Sequence, residues 1–297
     1  MATAVSEDFS SPQSILYFPL DHTRPQIRLI KILPHDDADN EQISCRLETV
    51  ELSEDIRYAA LSYVWGDPQV TEGIIVNGIK LSVTINLASA LQHFRKSGFP
   101  HNQRTKDVQY LWADAICINQ DDSAILERNH QVALMGKIYK KATSVLSWLG
   151  PPGSDRLDRT LSIIHNIIQV IGGGPENSGT QINSENIYAG IQWLKSILPT
   201  ISDGNVPAEW LSLGALQRNV YWNRLWIVQE MVLAISPSDH WFICGDASVT
   251  FQQLRLFSRA RDSIDKLSFP GGEEYAPQEW KNWLYLAKLN PNLKARI

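Results

Sequence analysis

The sequence predicts an α/β protein: a mostly parallel β-sheet flanked on both faces by helices, with β-hairpins added at its edge and a helical insertion. Three observations carry this. From Tyr58 to Asp262, apolar runs of strand length alternate with longer runs of helical period. Alternating apolar and polar stretches also come in pairs, one of them joined by Asn77-Gly78, a strong two-residue hairpin signal. Finally, 297 residues that are 43% hydrophobic and 20% charged suffice to bury a large core.

The elements follow in order. Residues 1–24 read as an N-terminal tail, polar and Ser-rich over the first fourteen. Ile27–Leu33 and Ile43–Val50 alternate and form a hairpin around the acidic stretch His35–Glu41. Tyr58–Val64 is a more continuous apolar strand, ended by Gly66-Asp67-Pro68, and Gly73–Val83 holds the Asn-Gly hairpin. Asn86 is placed to cap a helix in which Leu87, Ala90, Leu91 and Phe94 share a face, until Gly98 stops it.

Tyr110–Ile118 then reads as a buried strand, Glu127–Ala142 as a helix with Val132, Met135, Ile138 and Tyr139 on one face, and Val145–Leu149 as the next strand. Pro151-Pro-Gly-Ser and Gly172–Gly179 bracket a helical segment, so residues 151–215 read as an insertion. After it come a helix over Arg218–Ala234, a strand over His240–Cys244 and a helix over Phe251–Asp262. A main domain thus spans residues 25–255, and 256–297 form a C-terminal helical extension in which Trp280, Trp283 and Leu284 lie on one face.

A formal net charge of −5 argues against a general nucleic-acid surface, and the basic stretch His93–Lys106 reads as a solvated helix end. Three scattered cysteines, Cys45, Cys117 and Cys244, suit a reducing compartment, so the expected location is cytoplasmic. The first residues lack the basic and apolar regions of a secretion signal, and no run is long and apolar enough to span a membrane. Cys and His spacing does not suggest a zinc site, and no cofactor is expected.

Function concentrates in three segments that each join an apolar run to a polar cluster: Tyr58-Ala-Ala-Leu-Ser-Tyr-Val-Trp-Gly-Asp67, Leu111-Trp-Ala-Asp-Ala-Ile-Cys-Ile-Asn-Gln120 and Tyr221-Trp-Asn-Arg-Leu-Trp-Ile-Val-Gln-Glu230. A core does not hold such polar groups without partners, so they read as one composite site at the carboxyl ends of the strands, where open α/β sheets bind ligands. Trp226 and Glu230, four apart, share a helix face, and an aromatic plane beside a carboxylate suits a flat cationic ring.

In order and spacing these segments, with Glu127–Tyr139 and Trp148-Leu-Gly150, resemble the fungal heterokaryon incompatibility (HET) domain over about residues 25–255. The resemblance implies a role in non-self recognition, in which the domain triggers growth arrest or cell death downstream of a recognition receptor. A fainter likeness is to the Toll/interleukin-1 receptor (TIR) family, carried by Leu61-Ser-Tyr63, Trp112-Ala-Asp114 and the Trp226-x-x-x-Glu230 spacing. It implies a TIR-like, flavodoxin-type core, self-association that completes the site, and Glu230 as the catalytic residue of an NAD glycohydrolase (NADase). NAD would then be a substrate, not a cofactor.

Loss of nicotinamide from NAD develops oxocarbenium character on the ribose, so a carboxylate that binds the ribose hydroxyls and stabilises that charge suffices. Glu230 is the candidate for this, with Trp226 stacking on a ring. The alternative makes Glu230 a partner of Arg224 or a lysine, and Trp226 core. Asp67 reads either as a ribose ligand or partner of Arg224, or as an ordinary turn start. Tyr63 and Trp65 line the pocket or pack in the core. Asp114, costly within an apolar strand, faces the site or holds a partner such as Arg224 or a backbone amide. Asn119 contacts a ligand or caps the next loop, and Arg128 contacts phosphate or lies on the surface. Two rivals stand beside the NADase: a non-enzymatic signalling and interaction module, and a cysteine hydrolase using Cys117 with His130 as base.

Overall fold

The structure is a computed structural model that describes residues 16–34, 42–53, 55–153, 156–170, 216, 219–224, 226–233 and 236–257. The strands are β1 (Gln26–Ile32), β2 (Ser44–Glu51), β3 (Tyr58–Tyr63), β4 (Thr71–Val76), β5 (Ile79–Thr84), β6 (Tyr110–Trp112), β7 (Ser144–Gly150), β8 (His240–Cys244) and β9 (Ala247–Thr250). They form one sheet in the order β5-β4-β2-β1-β6-β3-β7-β8-β9. The helices used below are α1 (Ile85–Ser97), α2 (Asp114–Cys117), α3 (Ile125–Lys141), α4 (Leu157–Val170) and α5 (Ile227–Val232). Most of the expected insertion and of the C-terminal extension, with the tail before Leu16, lies outside the described residues.

The sheet is mixed, which corrects the mostly parallel expectation. Its centre, β6-β3-β7-β8, is parallel, and numbering those four strands along the chain gives the spatial order 2-1-3-4. Around it β1 pairs antiparallel with both β2 and β6, β4 with β5, and β8 with β9. The β1–β2 hairpin therefore does not stand apart at an edge. Its first strand docks on β6 through Ile30 and Leu111, and its second pairs parallel with β4. The β4–β5 turn is built as its sequence requires, with Asn77 and Gly78 both at positive φ (52° and 79°), the two left-handed residues of a tight hairpin.

Alternation along β3 and β7 sorts residues to two faces. Tyr58 donates to the Ile138 carbonyl of α3 at 2.6 Å, whereas Trp148 lies against His93 and Phe94 of α1, so these two helices cover opposite faces. Ser62 and Ser147 are cross-strand neighbours in register, buried and polar among apolar residues. Burial of Trp112, Trp148, Tyr58, Leu29 and their neighbours, at about 25 cal/mol per Å² of apolar surface, is the main force holding these layers together. Leu16, Tyr17 and Leu20 are buried, and the Tyr17 hydroxyl donates to the Ile116 carbonyl at 2.9 Å.

Local departures from the sequence reading have local causes. The strand expected over Tyr110–Ile118 stops at Trp112, because Asp114 Oδ1 accepts from the Ala115 N–H at 2.8 Å and the chain turns into α2. Asn86 does not cap α1. Its amide bridges two elements instead, donating to the Val64 carbonyl at 2.6 Å and accepting from the Trp148 indole at 3.1 Å. Val132 is exposed, and the inward stripe of α3 runs through Glu127, Gln131, Leu134, Met135, Ile138 and Tyr139. Two polar residues occupy apolar positions there because each has a partner: Glu127 the Arg28 guanidinium, and Gln131 the Gln26 carbonyl. The single helix expected over Arg218–Ala234 is two pieces, a 3₁₀ turn over Val220–Asn223 capped by Asn219, and α5, with Arg224 extended between them (ψ 134°). Residues 251–257 are helical, in agreement with the reading, and β9 was not foreseen.

Candidate functional site

At the carboxyl end of β3, between strands first and third in chain order among the parallel four, the sheet has its topological switch point, the usual ligand site of such folds. Glu230 reaches it from α5. It is 1% exposed, and both of its oxygens are bonded: Arg224 Nη1 donates to Oε2 at 2.8 Å, Arg224 Nη2 to Oε1 at 2.7 Å, and the Ser62 hydroxyl also donates to Oε2. Arg224 Nη1 donates in addition to Ser62 Oγ at 2.8 Å. Burial alone would lower the Arg224 guanidinium; the Glu230 carboxylate more than offsets this and holds it above its ordinary value.

The polar cluster continues through the sheet. Ser62 Oγ lies 2.6 Å from the Tyr221 hydroxyl, that hydroxyl 2.6 Å from Ser147 Oγ, and Ser147 Oγ 2.7 Å from His240 Nε2. All are buried. Burial pushes the His240 imidazole down to about 3, so it is neutral at physiological pH, and pushes the Tyr221 phenol up to about 12.

Asp114 completes the rim. Its Oδ2 accepts from the Trp65 indole N–H at 2.8 Å, and burial raises its carboxyl above the usual range against these hydrogen bonds and the pull of Arg224. Tyr63 is fully buried, and burial together with the Asp114 charge keeps its phenol well above its ordinary value. Trp65 and Trp226 are each 43% exposed, and the Trp226 carbonyl accepts the Glu230 N–H at 3.2 Å. Glu230, Arg224, Asp114, Trp65 and Tyr63 are thus brought together, with Trp226 one helical turn from the carboxylate.

Asp67 starts a turn, its Oδ1 accepting from the Gln69 N–H at 2.9 Å. Asn119 caps its loop, Oδ1 accepting from the Asp121 N–H at 3.0 Å. Arg128 is half-buried on α3 beside Glu127, whose ion pair is with Arg28. Cys117 is buried, its sulfur engaged by the Ala113 N–H at 3.3 Å, and burial drives its thiol far above its ordinary value, so it is no thiolate nucleophile. An open cleft of about 370 Å³ lies elsewhere, lined by His93, Phe99, His101, Trp241 and Asp246, and none of the candidate residues borders it. Among the described residues no group of three or more His, Cys, Asp or Glu could hold a metal ion, and no helix is long and apolar enough to cross a membrane.

Ser62, Tyr221, Ser147 and His240 were not singled out from the sequence. The signal was there in part: Ser62 and Ser147 each interrupt an otherwise apolar strand, and a buried hydroxyl needs a partner. Their alignment became visible only with the register of β3 on β7.

These segments, joined in this arrangement, define the class. The model of the heterokaryon incompatibility protein (HET) family matches residues 58–230, more than half the chain, and the chain belongs to that family. Among curated proteins it is similar to heterokaryon incompatibility protein 6, OR allele, of Neurospora crassa, at 27% identity over 268 residues. That alignment takes in 82% of this chain but spans only 37% of the relative's length. No solved structure matches.

Proposed function

We propose that this chain is an effector of heterokaryon incompatibility that brings about cell death by hydrolysing NAD at Glu230. The incompatibility role rests on the family and on the name of the Neurospora relative. The chemistry rests on one observation: a buried carboxylate at the switch point of the sheet, gripped by Arg224 and Ser62, with the half-exposed Trp65 bonded to the neighbouring Asp114 and the half-exposed Trp226 one helical turn before Glu230 in the chain. The order 2-1-3-4 of the four parallel strands supports a flavodoxin-type core of the TIR kind.

In this reading an aromatic ring of NAD stacks on Trp65 or Trp226, and the ribose hydroxyls take the place of Arg224 as donors to Glu230. The bond from ribose C1′ to the nicotinamide nitrogen breaks, and its electron pair leaves with neutral nicotinamide. Glu230 stabilises the oxocarbenium ion; water adds at C1′ and releases a proton, giving ADP-ribose. Because Arg224 occupies both carboxylate oxygens, turnover requires the segment joining the 3₁₀ turn to α5 to shift, and self-association is the step proposed to move it.

A second reading is favoured by the same ion pair. Glu230 has no oxygen free for substrate, which suits a signalling module whose buried charges specify the fold. Nicotinamide release by purified protein at high concentration, wild type against Glu230→Gln, decides between them. Turnover lost in the variant supports the enzyme. No turnover in any assembled state, with killing in cells that survives Glu230→Gln, establishes the module.

A further inference from the structure

The buried polar chain beneath Glu230 has a direction, and counting hydrogens fixes it. Glu230, paired at both oxygens with Arg224, is an ionised carboxylate that can only accept. Ser62 therefore spends its one hydroxyl hydrogen on Glu230 and can only accept from its other neighbours, Arg224 Nη1 and the Tyr221 hydroxyl. Tyr221 must then donate to Ser62, and so accepts from Ser147. Ser147, its hydrogen used, accepts from His240.

We infer that Ser62, Tyr221, Ser147 and His240 form a one-way chain of hydrogen bonds, beginning at a His240 protonated on Nε2, that positions Glu230. His240 Nδ1 is buried without a hydrogen-bond partner. In the Nε2–H tautomer that atom is a bare lone pair, whereas in the other it would be a buried, unpaired N–H donor, the costlier state. Every dipole of the chain points its positive end at Glu230. The carboxylate beneath the developing oxocarbenium ion is thus oriented from below, by groups that never touch substrate, and it is equipped to stabilise charge rather than to act as a general acid. Ser147, Tyr221 and His240 are positioning residues.

The kinetic consequence rests on the NAD reading; the direction of the chain does not, and it is tested separately. In the full chain, ¹⁵N and ¹³C chemical shifts of the His240 ring are expected to report the Nε2–H tautomer. Tyr221→Phe removes the acceptor of the Ser147 hydroxyl, which is freed to donate to Nε2, so the ring signals move toward the Nδ1–H form. Where Tyr221→Phe does not fold, Ser147→Ala serves: it deprives Nε2–H of its acceptor and releases the tautomer preference. An Nδ1–H tautomer in the wild type, or His240 shifts indifferent to these changes in folded protein, overturns the inference. If the wild type hydrolyses NAD, Tyr221→Phe is expected to lower kcat by roughly 10- to 100-fold, as loss of an orienting partner commonly does, with KM little changed. His240→Gln, which keeps a donor at the Nε2 position, recovers most of what His240→Leu loses. An enzyme inert in every state removes the NAD reading and leaves the tautomer result to stand or fall alone.

Discussion

Arg224 and Glu230 meet through two parallel hydrogen bonds, of 2.8 and 2.7 Å, across the point where the helical path of the chain is interrupted. The interruption lets the guanidinium turn back onto a carboxylate six residues ahead, a separation at which an unbroken helix does not bring side chains together.

Breaking this pair from one side is expected to cost more than removing it whole. Glu230→Met or Arg224→Met leaves one buried charge uncompensated and should lower stability by about 3–5 kcal/mol, while the double replacement by Met at both positions should cost clearly less than the sum. Urea denaturation of the two singles and the double checks this. A double variant as unstable as the summed singles would mean that the two charges do not act as a pair.

Arg28 and Glu127 form a second buried pair, at 2.6 and 2.9 Å, which ties β1 to α3. Burial alone would raise the Glu127 carboxyl; the hydrogen bonds and charge of Arg28 outweigh it and hold it below its ordinary 4.5. A depressed folded value means that the unfolded chain takes up the proton first. The stabilisation is therefore complete above 4.5 and is lost as pH falls through the lower, folded value. Glu127→Gln should remove that part of the acid dependence. Denaturation midpoints of wild type and variant, compared at pH 7 and pH 3, read it directly: the gap should narrow at the lower pH.

Cys45, Cys117 and Cys244 are all buried and none is in a disulfide, and burial raises Cys45 to about 12 and Cys117 higher still. None should react with an alkylating reagent in the native protein, and all three should react in denaturant, as mass spectrometry would show. Rapid native labelling of Cys117 would revive a cysteine-based chemistry.

Trp65 and Trp226 are both half-exposed, and the proposed reading stacks NAD on one of them. NAD should quench their fluorescence, and Trp65→Ala should weaken its binding by roughly three- to tenfold, the worth of one ring stack. Trp65→Phe keeps a ring but loses the hydrogen bond to Asp114, so an intermediate affinity is expected. Quenching that survives removal of both rings would place the ligand elsewhere.

What could be read without coordinates was local. Asn77-Gly78 fixed its hairpin because two left-handed residues in succession admit few alternatives. The parallel strands announced themselves as apolar runs, and Glu230, Arg224 and Asp114 stood out as polar residues in apolar company. What could not be read was direction and register. Nothing in Gln26–Ile32 says that it pairs antiparallel with Tyr110–Trp112, because the strand that receives it is chosen by packing far along the chain. Val132 was misjudged for the same reason, since the inward stripe admits a charged residue, Glu127, when its partner Arg28 arrives from another strand. Asp67 and Asn119 each read two ways, as a ligand or as a turn or cap residue, and each bonds the backbone two residues on, the ordinary use of these residue types in turns.

The distances along the chain between members of the polar cluster set when it can come into being. Ser62 and Glu230 stand 168 positions apart and Ser62 and Tyr221 159, whereas the β1–β2, β4–β5 and β8–β9 hairpins close locally. Long-range closure forfeits chain entropy before any contact rewards it, so the hairpins are expected to form before the cluster. A nascent or partly folded chain can therefore carry its hairpins and much of its core without an assembled charge site. Under the proposed reading, in which the chain kills the cell that makes it, completion of the fold would itself be a safeguard.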